Sequence, residues 1–222
     1  MTATPSRDLP HRSTLADVVY ARLHEDILLG RLRPNTLIIE AELADRLEVS
    51  RTPVRESLQR LAKDGLIVSR RRHWFVVEPS LGEIRDSYDV RAALEGHAAR
   101  LATERATDAQ LEVITGALDS RGHAGPSTED FVTSNERFHR TIVEASHSPR
   151  LIAAIERSKH FYFNTQVARL YEPKDLEASQ VQHQQMVEAI LSRDGDAADR
   201  ITREHVARAL VLIEDRWSHE PW

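Results

Sequence analysis

Residues Glu42–Ile67 read ELADRLEVSRTPVRESLQRLAKDGLI, and the apolar spacing here decides how the N-terminal third folds. Ile39, Leu43 and Leu47 recur at every fourth position and predict a short helix. Ser50 or Thr52 is placed to cap a second one, whose first turn tolerates Pro53 because the amides there have no intrahelical acceptor. Val54, Leu58 and Leu61 form its inward side, Thr52, Arg55, Glu56 and Gln59 point the other way with Arg51 at the flank, and Gly65 ends it. Upstream, Leu15, Val19, Leu23 and Ile27 give another helix that stops at Gly30, and Arg33-Pro34-Asn35 is a turn. Downstream, Leu66-Ile67-Val68 and Trp74-Phe75-Val76-Val77 are β-prone runs on either side of a Ser69–His73 tip. Three helices followed by a basic hairpin describe a winged helix-turn-helix.

Charge supports that reading and limits it. The chain of 222 residues carries a net charge of −5, which excludes a uniformly basic nucleic-acid coat. Residues 1–79 hold 13 basic and 11 acidic side chains, whereas residues 80–222 hold 17 and 24. Between Arg46 and Arg72 there are eight basic groups against three acidic ones, which suits one local anionic partner. The second helix of such a pair enters the major groove near its N-terminus. There Arg51 and Arg55 lie one turn apart, close to amides that favour phosphate, and an arginine fork matches the O6 and N7 acceptors of guanine. The tip Arg70-Arg71-Arg72 suits the DNA backbone or minor groove. A solvated charged helix face has the same composition, so charge alone leaves both readings open.

The absence of cysteine excludes disulfides, thiolate metal sites and a thiol nucleophile. No run of eighteen apolar residues predicts a membrane span, and the N-terminus has no apolar core of a secretory signal; the expectation is a cytoplasmic protein with no membrane partner. Eight glycines and 5% aromatic residues favour helices. Periodicity breaks at Glu78-Pro79-Ser80-Leu81-Gly82. The expected division is a disordered tail at 1–11, a DNA-binding domain at 12–78 and an all-α ligand-binding and dimerisation domain at 79–222.

The second half carries its own pattern. In a helix expected around 128–146, Phe131, Asn135, His139 and Ile142 share a narrow stripe. His183 shares a face with Val187 and Ile190 around 176–193, and His205 lies with Ile201, Ala209 and Leu212 on the last helix. Three imidazoles facing a bundle interior suit Zn²⁺, Ni²⁺ or a similar divalent transition metal. Histidines satisfied within a core give the same pattern. Arg91 sits at the edge of the Val90, Leu94, Ala98 and Leu101 stripe. It reads either as an i,i+4 ion pair with Glu95 or as a carboxylate-binding fork beside the metal. The alternative to a sensor is a metal-dependent hydrolase or another helical-bundle metalloenzyme. Glu136-Arg-Phe-His139 does read Glu-x-x-His, but a di-iron bundle needs a matching motif on another helix plus two more glutamates; no other helix carries one, and Glu136 is displaced around its helix from the proposed ligands. An enzyme is not expected.

The Glu42–Ile67 stretch resembles, almost word for word, the DNA-binding signature of the GntR family of bacterial transcription regulators. The stretches VRAALEGHAARLA (Val90–Ala102), NERFH (Asn135–His139) and HQQMVEAILSRDGDAA (His183–Ala198) are similar to the helical effector domain, called FCD, of its FadR branch, in the shorter six-helix form. The resemblance implies a ligand-responsive regulator, more often a repressor, that binds a short inverted repeat in double-stranded DNA as a homodimer. It puts Arg51, Thr52 and Arg55 on base- or phosphate-contacting positions, and Arg46 and Arg71 on backbone-contacting ones. It also implies a metal held by Asn135, His139, His183 and His205, with a small organic acid as effector near Arg91. Three departures stand out. The wing tip lacks the family's usual glycine; Asn35 replaces a turn glycine, which its tolerance of positive φ excuses. Asn135 stands where many relatives have Asp, which weakens metal affinity and leaves the ion's charge less cancelled.

Overall fold

The computed structural model describes residues 14–119, 128–158 and 165–217. The expected tail at 1–11 lies outside them. The N-terminal part runs α1 (Leu15–Leu28), β1 (Leu37–Ile38), α2 (Glu40–Arg46), α3 (Arg51–Lys63), β2 (Ile67–Arg70) and β3 (His73–Val76). Thr14 starts α1 with a capping box: its hydroxyl accepts from the Asp17 amide while Asp17 accepts from the Thr14 amide. The expected apolar stripes meet in one core of Val19, Leu23, Leu43, Val54, Leu58 and Leu61, closed by Ile38, Ile67 and Val76 from the sheet, although Leu15, expected on the first stripe, is exposed. The sheet is antiparallel with order β1-β3-β2. The two-residue strand β1 is too short to leave an alternation in sequence; pairing of Leu37 with Phe75 and Ile38 with Trp74 creates it.

Two local features differ from the sequence expectation. Ser50 occupies the cap position of α3, but its side chain makes no capping hydrogen bond, and Thr52 lies exposed in the first turn. The leading amides of α3 therefore have no side-chain cap. The hairpin turns in two residues, Arg71 and Arg72, with φ of 50° and 69°. A two-residue turn with both residues left-handed is normally filled by Asn and Gly. Two arginines there store strain of about 1–2 kcal/mol each. Asn35 does take positive φ, 61°, as its side chain permits.

The remaining chain is helical: α4 (Leu81–Arg105), α5 (Asp108–Asp119), α6 (Thr128–Ala145), α7 (Pro149–Ser158), α8 (Thr165–Arg169), α9 (Pro173–Leu191) and α10 (Gly195–Arg216). Six of these have ten or more residues and α8 is a five-residue turn of helix. Ser80 and Glu83 form a capping box that starts α4 just after Pro79. α4 is the central element, packed along α10 and flanked by α6, α7 and α9. Gly96 permits the closest approach: a Cβ there would lie 2.7 Å from Asp199 Oδ1 on α10. Arg216 of α10 bonds the Leu170 carbonyl and Asp175 Oδ2, fixing the start of α9. Burial raises the Asp175 pKa, but Arg216 and the Glu172 amide outweigh it and leave the carboxyl below its usual range. Among the described residues no helix is long and apolar enough to cross a membrane.

Candidate DNA-reading face and metal pocket

The exposed face of the N-terminal domain follows from how α2 meets α3. Glu48 takes a left-handed φ of 54°, and the Val49 amide returns to the Ala44 carbonyl at 3.0 Å, so the chain turns sharply between the helices. Behind α3, the buried Ser57 hydroxyl lies 2.7 Å from the Ala16 carbonyl, and Arg60 pairs with Asp17 at 2.6 Å. These contacts hold the inner side of α3 on α1. Its outer side presents Arg51, Thr52 and Arg55 to solvent; Arg46 on α2 and Arg71 at the hairpin tip are exposed as well. All five residues expected at DNA are thus accessible. Arg55 has a feature the sequence did not show: its Nε and Nη2 both donate to Glu40 Oε2, at 3.1 and 3.0 Å. The other oxygen of Glu40 accepts from Trp74 Nε1 at 3.2 Å. The Arg55 hydrogen bond holds the Glu40 carboxyl below its ordinary pKa, against a smaller effect of burial.

In the helical domain the three histidines converge. His183 Nε2 lies 3.2 Å from His139 Nε2 and 3.1 Å from His205 Nε2, and all three rings are buried. An imidazole nitrogen carries either a proton or a lone pair. His183 Nε2 cannot donate to one neighbour and accept from the other, so protons alone leave one contact poorly satisfied. A cation facing three lone pairs satisfies all of them. The spacing agrees: with metal–nitrogen bonds of about 2.0–2.1 Å, ligand nitrogens sit roughly 2.9 Å apart across a right angle and roughly 3.3 Å across a tetrahedral one. The groups behind the rings agree too. Gln182 Oε1 lies 3.2 Å from His205 Nδ1, and Glu95 Oε2 lies 3.7 Å from His139 Nδ1. An acceptor within hydrogen-bond reach of Nδ1 fixes the proton there and frees the Nε2 lone pair, as Gln182 does for His205; Glu95 stands beyond that reach of His139 and acts on it through its charge. The residues present therefore fit a divalent metal. Among the described residues, these three histidines are the one group of His, Cys, Asp or Glu whose ligand atoms lie close enough, within 4.8 Å of one another, to share an ion, and it contains no carboxylate. That is not the donor set of a di-iron bundle.

Asn135 is buried and lines the same small cavity as His139, His205, Arg91, Tyr88, Tyr171 and Ser179. The structure thus brings every residue expected in this site to one place. Arg91 needs a correction of position: it is central to the inward stripe Ile84, Tyr88, Arg91, Glu95, while Val90 is exposed and Leu94 only half-buried. The reason is that α4 is enclosed by several helices, so its polar residues go inward where they can compensate one another. Of the two readings for Arg91, the ion pair is present: Arg91 Nε meets Glu95 Oε1 at 2.9 Å. The pair does not exclude the other reading, because Arg91 also lines the cavity and its guanidinium lies 4.6 Å from the Tyr88 ring centre. Tyr88 Oη has no well-formed hydrogen bond to any described residue. Burial raises its pKa, opposed by Arg91. The cavity has about 10 Å³ free, room for a single water. Tyr88, Tyr171, Ser179 and Gln182 were not anticipated. Tyr88 could have been found from its place on the Ile84–Glu95 stripe; Gln182 reaches across to another helix and leaves no signal in the sequence.

The two regions touch. Leu29, at the end of α1, packs on an apolar cluster containing Ile84, Tyr88, Val206 and Ala209, three of which line the cavity.

A helix-turn-helix with an exposed basic face, joined to a helical domain that encloses a small polar cavity, is the architecture of a DNA-binding regulator with an effector domain. Residues 15–77 match the family described as bacterial regulatory proteins, gntR family, and residues 86–208 match the FCD domain. The chain belongs to the GntR family and carries an FCD effector domain. It is 31% identical over 179 residues to the Nta operon transcriptional regulator of Aminobacter aminovorans, covering 79% of this chain and 83% of that one. It is 28% identical to the HTH-type transcriptional repressor RspR of Escherichia coli, over 85% and 84% of the two chains. The solved structure of E. coli McbR/YncC shares the fold, with a TM-score of 0.81 at 22% identity, covering 93% of this chain and all of that one. The two curated relatives are regulators of transcription, and with both family matches the chain is a transcription regulator rather than an enzyme.

Proposed function

We propose that this regulator is a repressor that binds a short inverted repeat as a homodimer and responds to a small organic acid taken up beside a metal. Arg51, Thr52 and Arg55 contact bases or phosphate, and Arg46 and Arg71 hold the backbone. The exposure of all five side chains supports this, as does the strain accepted to set Arg71 and Arg72 at the hairpin tip. A two-fold protein on a palindrome presents the same helix to each half-site. The repressor reading draws on the relative named as one.

Asn135, His139, His183 and His205 would hold Zn²⁺ or Ni²⁺. The single observation that carries this is the meeting of three buried Nε2 atoms with no proton arrangement that suits them all. The metal would supply concentrated positive charge and open positions that attract an anion; Asn135, being neutral, cancels none of that charge. Arg91 offers a carboxylate its fork, and the phenol of Tyr88 offers a further hydrogen bond. Room for only a water means that an acid must push the lining residues apart. Movement of Tyr88 then reaches Leu29 and the DNA-binding domain through the shared cluster. By linkage, an acid that weakens DNA binding is itself bound more weakly by the DNA complex, by the same factor.

The test combines elemental analysis of purified protein with a thermal-shift screen of small carboxylic acids and operator gel shifts. The expected result is bound zinc or nickel, at least one stabilising acid, and altered DNA affinity with that acid. The variant His183→Ala with His205→Ala should lose the metal; unchanged metal content would remove the ligand assignment.

A further inference from the structure

We propose that Glu40 is the positioning residue for base reading by Arg55. This rests on the reading of Arg55 as a base contact. A guanidinium has two edges that can engage a planar partner: the side edge of Nε and one terminal nitrogen, and the end edge of the two terminal nitrogens. Glu40 takes the side edge through Oε2, at 3.1 and 3.0 Å. No described residue bonds Nη1 and the side chain is 60% exposed, so the end edge retains two parallel donors open to a partner, the geometry that matches guanine O6 and N7.

Two further observations separate a positioning role from a chance surface pair. Glu40 opens α2, a different helix from Arg55, and it is the less exposed partner, at 25% against 60%. Its second oxygen is fixed by the Trp74 indole on β3. One carboxylate therefore ties the reading arginine of α3 to both α2 and the wing. An arginine alone on a solvated helix loses rotamer freedom when it binds; one already held in its reading rotamer loses less. A carboxylate on a surface that meets phosphate otherwise only repels it. Loss of charge at Glu40 and loss of positioning at Glu40 thus have opposite signs, and can be told apart.

The experiment selects a duplex from a random-sequence pool with the wild-type protein. It then measures affinity for that duplex, for versions with each guanine replaced, and for non-specific DNA, using wild type, Glu40→Gln and Arg55→Ala. A glutamine cannot accept from both Arg55 and Trp74 through two oxygens. Glu40→Gln should cut discrimination at the guanine that Arg55 reads by about five- to tenfold. Its non-specific affinity should hold or rise, and its circular dichroism and melting should match wild type. Discrimination equal to or better than wild type, while Arg55→Ala loses it, would overturn the positioning role and leave Arg55 as the reader. Discrimination kept by Arg55→Ala would overturn the base-contact reading, and this inference with it.

Discussion

Arg55 with Glu40 and Arg91 with Glu95 are the same ion pair in opposite surroundings. Arg55 is 60% exposed and can trade its partner for water or DNA. Arg91 and Glu95 are 5% and 2% exposed and cannot. In water the Coulomb attraction of such a pair barely exceeds the entropy of holding it. Out of water each charge depends on the other, because either one alone would face a desolvation penalty of several kcal/mol. The surface pair therefore adds little to folding, and its carboxylate is free to orient the arginine rather than to stabilise it. The buried pair keeps a guanidinium at the wall of the cavity with its charge compensated from within the same helix.

The largest expected effect follows from removing one member of the buried pair. Glu95→Ala should cost about 3–5 kcal/mol in urea denaturation, since Arg91 is left charged among Tyr88 and the histidines. Replacing both, Arg91→Met with Glu95→Leu, should restore most of that loss. A cost below about 1 kcal/mol for the single variant would place this pair with the surface kind.

An intermediate effect concerns whether the two regions act together. Leu29→Ala leaves both sites intact but removes the side chain that packs on the cluster holding Ile84 and Tyr88. Coupling of about 1–3 kcal/mol between acid and operator should shrink towards zero, with each ligand still bound when tested alone. Operator titrations with and without the stabilising acid read it directly; undiminished coupling would mean that the signal travels elsewhere.

The smallest effect belongs to the surface pair. A double-mutant cycle on Arg55 and Glu40 should give less than about 1 kcal/mol of folding stability at neutral pH, and less again in high salt. Arg55 lowers the Glu40 pKa in the folded state. The contribution is therefore whole above the ordinary glutamate value and disappears as pH falls through the lowered one. Growth of the coupling on acidification would contradict the pairing.

Much of this architecture was legible in the residues. The stripes Val19–Leu23, Val54–Leu58–Leu61 and Asn135–His139–Ile142 point inward because a helix repeats every 3.6 residues, and no other packing hides them. The same periodicity picked out His183 and His205 as inward-facing. It mis-set Arg91, because α4 is buried on several sides and a single stripe does not describe it. It was silent on β1, whose two residues hold no pattern, and on a wing turn built from two left-handed arginines, which runs against local preference.

Periodicity along one element is a local property, so the sequence by itself determined the winged helix-turn-helix, the helical second half, and which side chains face a core. Distances between elements far apart in the chain are not local. That His139, His183 and His205 meet within 3.2 Å of a shared nitrogen was decided only by the packing of α6, α9 and α10. So was the hold of Glu40 on Arg55 and Trp74, and the seat of Leu29 on the floor of the sensor domain.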